Sequence, residues 1–466
     1  MVGYFLPHPP ILIDKIGKGR EKECQKTLDS FYKVAHEIKE IKPDTIIIIS
    51  PHAPVFSDSF FVNNSKVISG NLSRLGYKDI KMTFYNNNEF VNKLTIIAHE
   101  QNIPLAFIDD SLRHKYGIDN NLDHGAIVPL YFLTQQYSNF SLVHLSYSLL
   151  DDLMLYRFGM LLRSISETLS QNILIIASGD LSHKLTLDGP YGYVEEGPLF
   201  DRTFVELIKE RKFKEAFQID KVLAEKAGEC GFRSYKVLLG FFEGYKVYSE
   251  VYSYEGPFGV GYMVARFEDK KEKDISLFKE IKYIKNSYMD NIRKNEDAYT
   301  KLARESLEYY IKHRRFLDTF PDYVTDEMLN KKAGVFVSIK KDGTLRGCIG
   351  TIEPFYENIA KEIIKNAVAA GTRDPRFYPV EEDELHNLEY HVDVLNKPEK
   401  VLSKDELDPK IYGVIVKSGY KKGLLLPDLE GIDTVEEQLR IACQKANIEY
   451  GSEDFEIERF TVERHH

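Results

Sequence analysis

Four histidines in the first half of the chain have neighbours that suit metal binding or acid–base chemistry. His8, His52 and His183 each follow a short apolar run or the turn after it, and His124 precedes an apolar stretch that begins a predicted helix. Imidazole is a common ligand of transition metals and titrates near neutral pH. A single histidine is usually a structural residue. Three at the strand ends of one sheet favour a shared site, because the fold brings that edge together.

The third partner that such chemistry needs is a carboxylate. Two imidazoles and one carboxylate on one face bind Fe(II) and leave positions open for substrate and dioxygen. Glu229 lies in a glycine-flanked turn, where backbone can approach another group closely. Asp14, Asp123, Asp180 and Glu196 compete with it, and the residues alone do not choose among them.

The strongest predicted strand explains how these histidines could meet. Four consecutive isoleucines at residues 46–49 predict a strand buried on both faces, inside a parallel sheet, and His52 is the first functional side chain after it. Residues 2–6 predict a strand that ends at the turn containing His8, and residues 21–41 predict an amphipathic helix between the two strands. This is a βαβ unit, so both histidines should leave the sheet at the same edge.

The chain divides into two predicted domains. Residues 1–268, with a second strongly buried strand at 172–178, predict an α/β domain with a parallel-core sheet flanked by helices. The charge-dense residues 269–284 predict a linker. Residues 285–466 mix helices with antiparallel strands, including a hairpin that turns at residues 342–343, and predict a smaller α+β domain.

Composition excludes several classes of protein. A chain of 466 residues is too long for one ordinary core, and 43% hydrophobic with 29% charged residues is typical of soluble globular proteins. The net charge of −10 argues against a nucleic-acid partner. No apolar run could span a membrane, and the N-terminus lacks a signal-peptide pattern. Four widely spaced cysteines give no disulfide framework, so we expect the reducing cytoplasm.

An ordered set of short motifs runs through the first predicted domain. Each motif alone is weak, but together they resemble the LigB family, the catalytic B subunit of class III extradiol dioxygenases, and the related Memo family is similar. The motifs are Pro7-His8-Pro9-Pro10, Ser50-Pro51-His52, Asp123-His124-Gly125, Val128-Pro129-Leu130, Gly179-Asp180-Leu-Ser-His183, Ala227-Gly-Glu229 and Tyr254-Glu-Gly-Pro-Phe-Gly-Val-Gly-Tyr262.

This resemblance implies roles for individual residues. His8, His52 and Glu229 would hold Fe(II), His183 would be the catalytic acid/base, and His124 would be a second-sphere group at the substrate. The implied reaction is ring cleavage of a catechol or an aminophenol, a small aromatic substrate, with O2.

Cys230 departs from the LigB pattern. It follows Glu229 directly, and in Memo-like proteins a cysteine in this segment takes the ligand position. A thiolate favours a softer metal than a carboxylate does, so Zn and Cu are alternatives to Fe(II). Two other functions stay open: a redox protein that uses Cys230 with copper, or a non-catalytic docking scaffold whose metal site is vestigial or structural.

The second predicted domain resembles the AMMECR domain. The motifs that carry the resemblance are Leu345-Arg-Gly-Cys-Ile-Gly350, Thr372-Arg-Asp-Pro-Arg-Phe377 and Leu424-Leu-Leu-Pro427. An AMMECR domain behind a LigB/Memo-like domain is similar to the AmmeMemoRadiSam architecture, which implies a radical SAM protein as a partner. A homo-oligomer is compatible with the sequence, which does not specify the oligomeric state.

Two features of the AMMECR-like motifs have both a functional and a structural interpretation. Cys348 could be a nucleophile in a glycine-flanked strand or a small core residue, since free cysteine is often buried. Arg346, Arg373 and Arg376 could form an anion site or could be solvated surface charges.

Overall fold

The computed structural model describes residues 1–429, 431–451 and 454–466. They form two compact units, Met1–Tyr283 and Ile284–His466. The strands of the first unit are β1 (Val2–Leu6), β2 (Thr45–Ile49), β3 (Phe60–Phe61), β4 (Val67–Leu72), β5 (Tyr77–Tyr85), β6 (Leu105–Ala106), β7 (Ser141–Leu145), β8 (Ile173–Ser178), β9 (Tyr245–Glu255) and β10 (Tyr262–Lys273). Its helices are α1 (Asp14–Gly17), α2 (Gln25–Ile41), α3 (Asn88–Glu100), α4 (Asp110–Tyr116), α5 (His124–Thr134), α6 (Asp152–Thr168), α7 (Glu196–Lys209), α8 (Phe213–Phe217), α9 (Lys221–Ala227) and α10 (Phe232–Phe241).

A six-stranded sheet with the order β7-β2-β8-β1-β10-β9 forms the centre of the first unit. Strands β7, β2, β8 and β1 run parallel, and β10 and β9 are antiparallel additions. The predicted parallel-core sheet is therefore confirmed. Strands β1 and β2 are parallel, as expected, but β8 lies between them and pairs with both. Their carboxyl ends, and the loops that follow, meet at one edge.

The isoleucine strand β2 is buried on both faces, because helices cover the sheet on each side. Ile47 and Ile49 pack in one core cluster with side chains of α6 and α10. Ile46 and Ile48 pack in another cluster with side chains of α2 and α5. Complete burial of an isoleucine side chain stabilises the fold by about 1.5–3 kcal/mol, so this strand fixes the edge where the loops meet.

The second unit is an α+β fold, as the sequence predicts. Its strands are β11 (Val335–Lys341), β12 (Thr344–Gly350), β13 (Leu388–Leu395), β14 (Glu399–Val401), β15 (Gly413–Ser418), β16 (Lys421–Leu425), β17 (Glu456–Phe460) and β18 (Val462–His465). Helix α11 (Leu277–Asn295) contains the division between the units. The helices that follow it are α12 (Ala298–His313), α13 (Asp326–Asn330), α14 (Ile359–Thr372) and α15 (Val435–Ala446). The strands form two four-stranded sheets, β12-β11-β13-β18 and β14-β17-β15-β16.

The segment assigned to a linker, residues 269–284, contains regular structure instead. Strand β10 continues to Lys273, which pairs with Tyr245, and a helix begins at Leu277. The charged side chains do not prevent a strand here, because the Nζ atoms of Lys270 and Lys273 lie over the rings of Tyr248 and Tyr245. In the described part of the chain, no helix combines the length and apolar character needed to span a membrane.

Candidate metal centre

His8 and His52 meet at the carboxyl edge of the central sheet. His8 follows β1 and is buried, and its backbone N–H donates a 2.8 Å hydrogen bond to Oδ1 of Asp180 in the loop after β8. His52 follows β2. The Nε2 atoms of the two imidazoles are 2.9 Å apart. The structure therefore brings together the two histidines that the strand pattern assigns to this edge.

Hydrogen bonds determine which nitrogen of His8 is available as a ligand. Its Nδ1 lies 2.9 Å from Oγ of Ser178, the last residue of β8. That hydroxyl donates its own proton to the carbonyl oxygen of Gly125 at 2.6 Å. Ser178 can therefore only accept from His8, so Nδ1 carries the proton and Nε2 is left with a free lone pair. A partner of this kind orients metal-binding histidines in general.

Cys230 places a third potential ligand atom beside the two imidazoles. Its Sγ lies 3.7 Å from Nε2 of His8. Within the residues that the structure describes, His8, His52 and Cys230 form the group whose ligand atoms all lie within 4.8 Å of one another. Two imidazole nitrogens and a thiol sulfur fit a soft or borderline transition metal such as copper, zinc or iron.

Two turns that pack closely hold Cys230 in place. The backbone N–H groups of Cys230 and Gly231 donate to the carbonyl oxygen of Asp180 at 3.2 and 3.1 Å. A Cβ atom on Gly179 would lie 2.0 Å from Cα of Gly231. Only glycine allows this approach, and the approach places the Cys230 turn beside the loop after β8.

Glu229, the carboxylate expected as the third ligand, is not in the group whose ligand atoms lie within 4.8 Å of one another, and this corrects the expectation. Its Oε2 accepts a 2.5 Å hydrogen bond from the backbone N–H of Phe232, in the first turn of α10. Burial raises the pKa of this carboxyl group to about 7, although Lys236 and Arg233 favour its charged form. The carboxylate therefore stabilises the start of α10, and the neighbouring thiol takes the position facing the histidines.

His124 lies against both histidines of the site. Its ring stacks on His52 with a centroid distance of 4.0 Å and meets His8 edge-on at 5.4 Å. Helix α5 begins at His124, and the preceding residue, Asp123, caps it by accepting from the N–H of Ala126. The resemblance to LigB proteins predicted a place for His124 near the substrate, and it is adjacent to the site.

Asp123 connects the site to a residue that the sequence did not reveal. Its carboxylate accepts from Ser50 Oγ at 2.5 Å and lies 3.2 Å from Nε2 of the fully buried His144. Burial disfavours the charge, but these hydrogen bonds outweigh it and lower the pKa of Asp123. His144 is the polar residue inside the apolar strand β7, and this position was the signal that could have revealed it.

His183 has an open hydrogen-bonding position. Its Nε2 is buried and has no hydrogen-bond partner in the described part of the chain. Its backbone N–H donates to the carbonyl oxygen of Ala227 at 3.2 Å, which connects the loop after β8 to the end of α9. Burial and the charge of His52 lower the pKa of His183, and Asp180 opposes them. A neutral imidazole with a free nitrogen can accept a proton.

The electrostatics of the site favour neutral side chains. Burial and the neighbouring imidazoles lower the pKa of His8 and His52, and burial with the charge of His8 lowers that of His124 to about 4. Burial raises the pKa of the Cys230 thiol and raises that of Asp180 to about 6. A bound cation would compensate the charge of a thiolate in this environment.

Two protein families match this chain, one in each of its two units. Residues 2–265 match the family described as the catalytic LigB subunit of aromatic ring-opening dioxygenase. The chain belongs to the LigB family. Proteins of this family are metal-dependent, which is consistent with three converging ligand atoms in the LigB domain. Residues 300–465 match the AMMECR1 family, so the second unit is an AMMECR1 domain.

Relatives of the chain share both domains or one of them. A protein of Clostridium acetobutylicum is 46% identical over 462 residues, which covers 99% of this chain and 98% of the relative. A Thermotoga maritima protein is 53% identical over 172 residues, 36% of this chain and 98% of its own length. A crystal structure of an uncharacterized Pyrococcus horikoshii protein has 32% identity and a TM-score of 0.34, and covers 36% of this chain and 89% of its own. A crystal structure of an uncharacterized Escherichia coli protein has 15% identity and a TM-score of 0.40. The match covers 57% of this chain and 99% of the Escherichia coli chain.

Two of the three arginines in the AMMECR1 motifs form ion pairs within the domain. Arg346 forms a bidentate ion pair with Glu384, and Arg376 forms one with Asp374. The positive charge of these two arginines is therefore neutralised within the domain. Cys348 is partly buried and accepts a hydrogen bond from Oγ of Ser338 at 3.2 Å.

Proposed function

We propose that the LigB domain holds one Fe(II) ion on His8, His52 and Cys230 and uses O2 to open the ring of a catechol or an aminophenol. The observation that carries the proposal is the convergence of three ligand atoms within 4.8 Å, with His124 stacked on one ligand. Membership of a family of ring-opening dioxygenases supports the reaction class. The thiol ligand is the departure from a two-histidine, one-carboxylate site.

Iron, when bound, would act as a Lewis acid and lower the pKa of a hydroxyl group on the substrate ring. His183 would then act as the base for this hydroxyl, because its buried Nε2 has no partner in the described chain and its pKa is lowered. The same nitrogen could return the proton to the ring-opened product.

His124 has a different role in this proposal. Because its pKa is lowered to about 4, it is neutral at physiological pH and cannot act as an acid there. A neutral imidazole can donate one hydrogen bond and accept another. Its ring is fixed against His52 and His8, so it would orient the substrate beside the ligands.

Iron loading under anaerobic conditions followed by oxygen-uptake measurements tests the proposal. Catechol and 2-aminophenol should each be compared with phenol, which lacks the second ring substituent. We expect oxygen uptake with one of the first two and none with phenol. His183→Ala should retain iron and lose turnover, because it removes a proton acceptor and no ligand. His52→Ala should lose iron. Wild-type iron content and activity in both variants would overturn the assignment.

The sulfur ligand favours one other function, a redox centre that uses copper. Two histidines and one cysteine are the equatorial ligands of blue-copper electron-transfer sites. In this case the copper-loaded chain should show thiolate-to-copper charge-transfer absorption, and Cys230→Ser should abolish it. The copper-loaded wild-type chain should also undergo reversible one-electron reduction, and it should consume no oxygen in the presence of catechol. Oxygen uptake that requires both iron and catechol would exclude this alternative.

A further inference from the structure

An exposed tyrosine lies against the proposed catalytic base. The ring of Tyr191 is 5.2 Å from that of His183, centroid to centroid, with an interplanar angle of 30°. Tyr191 is 62% exposed, so it contacts the imidazole on one side and solvent on the other. It is not among the residues to which the LigB motifs assign a role.

Backbone contacts fix the loop that carries Tyr191. Leu185 and Tyr193 form an antiparallel bridge across its base. The N–H of Leu185 also donates to the carbonyl oxygen of Gly259 at 3.0 Å. A Cβ atom on Gly189 would lie only 3.1 Å from Cα of Gly259, so the middle of the loop rests directly on that turn. Tyr191 is therefore held at the site by backbone contacts, independently of a ligand.

The tip of this loop is apolar although it is exposed to solvent. Leu187 is 82% exposed and Tyr193 is 46% exposed, so three large apolar side chains of one short loop face outward. Clustered exposed apolar groups mark binding sites when polar residues lie at their border. Among the described contacts of these three side chains, the ring contact with His183 belongs to Tyr191, so the ring of Tyr191 lies at such a rim.

We infer that Tyr191 is a specificity residue of the LigB site and that its ring packs against the aromatic ring of the substrate. The inference rests on the proposed function. A hydroxyl group that donates to Nε2 of His183 brings its own ring beside the imidazole, and Tyr191 occupies one side of that imidazole. Aromatic rings attract at centroid distances of 4.5–7 Å, a range that includes the separation of His183 and Tyr191. An aliphatic diol offers no ring for this contact.

The chain offers a matched control for this inference. Tyr193 belongs to the same loop and is also exposed, but its described contacts include no ring contact with a histidine. Tyr193→Ala therefore removes an exposed tyrosine ring from the loop and leaves the contact with His183 intact. Tyr191→Leu keeps an apolar side chain and removes the aromatic ring, and Tyr191→Phe keeps the ring and removes the hydroxyl group.

Binding of 4-nitrocatechol to the full chain, loaded with Fe(II) under anaerobic conditions, tests the inference through the visible absorption of the nitrocatechol. We expect Tyr191→Phe and Tyr193→Ala to bind it with wild-type affinity. Tyr191→Leu and Tyr191→Ala should bind about 10-fold more weakly, the affinity equivalent of one aromatic pair. In turnover, the same two variants should raise KM more than they lower kcat.

Two results would overturn the inference, and they differ from failure of the proposed function. Wild-type affinity in Tyr191→Ala would show that the ring makes no contact with the substrate. An equal loss in Tyr193→Ala would show a general effect of the loop. If the iron-loaded wild-type chain binds no nitrocatechol, the proposed function fails and this inference fails with it.

Discussion

Nδ1 of His8 is hydrogen bonded to Oγ of Ser178 at 2.9 Å, and this pair gives the imidazole of His8 a defined tautomer. Because Ser178 gives its own proton to Gly125, it accepts from His8 and leaves Nε2 of His8 unprotonated. The serine is the last residue of β8, the strand that lies between β1 and β2. Strand order, and not only the position of the histidines, therefore prepares the site.

Replacement of Ser178 with alanine should weaken metal binding. The variant removes the acceptor that orients His8, and loss of such a partner costs about 10- to 100-fold in metal affinity. Titration with Fe(II) or Zn(II) against a competing chelator measures the change. Ser182→Ala is a suitable control, because Ser182 is also buried and donates to a backbone carbonyl, that of Ala227, but accepts no described hydrogen bond from a histidine. Equal affinities of the Ser178 variant and the wild type would contradict the tautomer assignment.

Variants of two neighbouring residues identify the third ligand. Cys230→Ser should lose the sulfur-to-metal charge-transfer absorption of the Co(II)- or Cu(II)-loaded chain and should lower its metal affinity. Glu229→Gln should retain both properties, because Glu229 accepts from Phe232 and is not in the group of converging ligand atoms. Absorption spectra and metal-to-protein ratios of the two variants distinguish the assignments. A charge-transfer band that survives in Cys230→Ser would mean that the sulfur is not a ligand.

The sequence was a good guide to the sheet and to the edge where the site forms. Four isoleucines without alternation require burial on both faces, and only a central parallel strand provides it. The helix at Gln25–Ile41 then makes β1 and β2 parallel, so the positions of His8 and His52 followed from local patterns. These inferences needed only periodicity and strand direction, which are encoded locally.

The choice between Glu229 and Cys230 could not be made in the same way. The two residues are adjacent in one turn, and a small rotation of the backbone exchanges the side chain that faces the histidines. The orientation depends on the close approach of Gly179 to Gly231, residues that are far apart in the sequence. Ser178 was also missed, since a serine at the end of a strand gives no signal of its partner.

The arginines of the AMMECR1 domain illustrate the same limit. Their spacing is compatible with an anion site, but Arg346 pairs with Glu384, 38 residues away. No local pattern links these two residues. The radical SAM partner, the oligomeric state and the cytoplasmic location stay predictions.

Replacement of Gly179 with alanine should separate the two turns of the site. The new Cβ would meet backbone at 2.0 Å, and backbone cannot yield as a flexible side chain can. We expect loss of bound metal and a decrease of about 3 kcal/mol or more in the free energy of unfolding. Gly3→Ala is the control, since its Cβ would meet the ends of the Leu238 and Ile175 side chains. It should lower stability and leave the metal content of the folded protein unchanged. Wild-type metal content in Gly179→Ala would refute the role of this close approach.

Glu384 should make the stability of the AMMECR1 domain dependent on pH below about 5. Burial favours its neutral form, but hydrogen bonds from Arg346 and Lys341 outweigh burial and lower its pKa from 4.5 to about 2. A pKa that is lower in the folded state stabilises the protein above the unfolded value, and this contribution disappears as pH falls from 4.5 to about 2. Urea denaturation of the full chain between pH 7 and pH 3 should show Glu384→Gln less stable than wild type at pH 7, with a smaller difference at pH 3. Glu353→Gln is the control. The side chain of Glu353 is 73% exposed where it pairs with Lys422, so this ion pair should contribute little to the free energy of unfolding at any pH.

A constant difference in stability between wild type and Glu384→Gln across this pH range would show that the ion pair with Arg346 does not lower the pKa of Glu384.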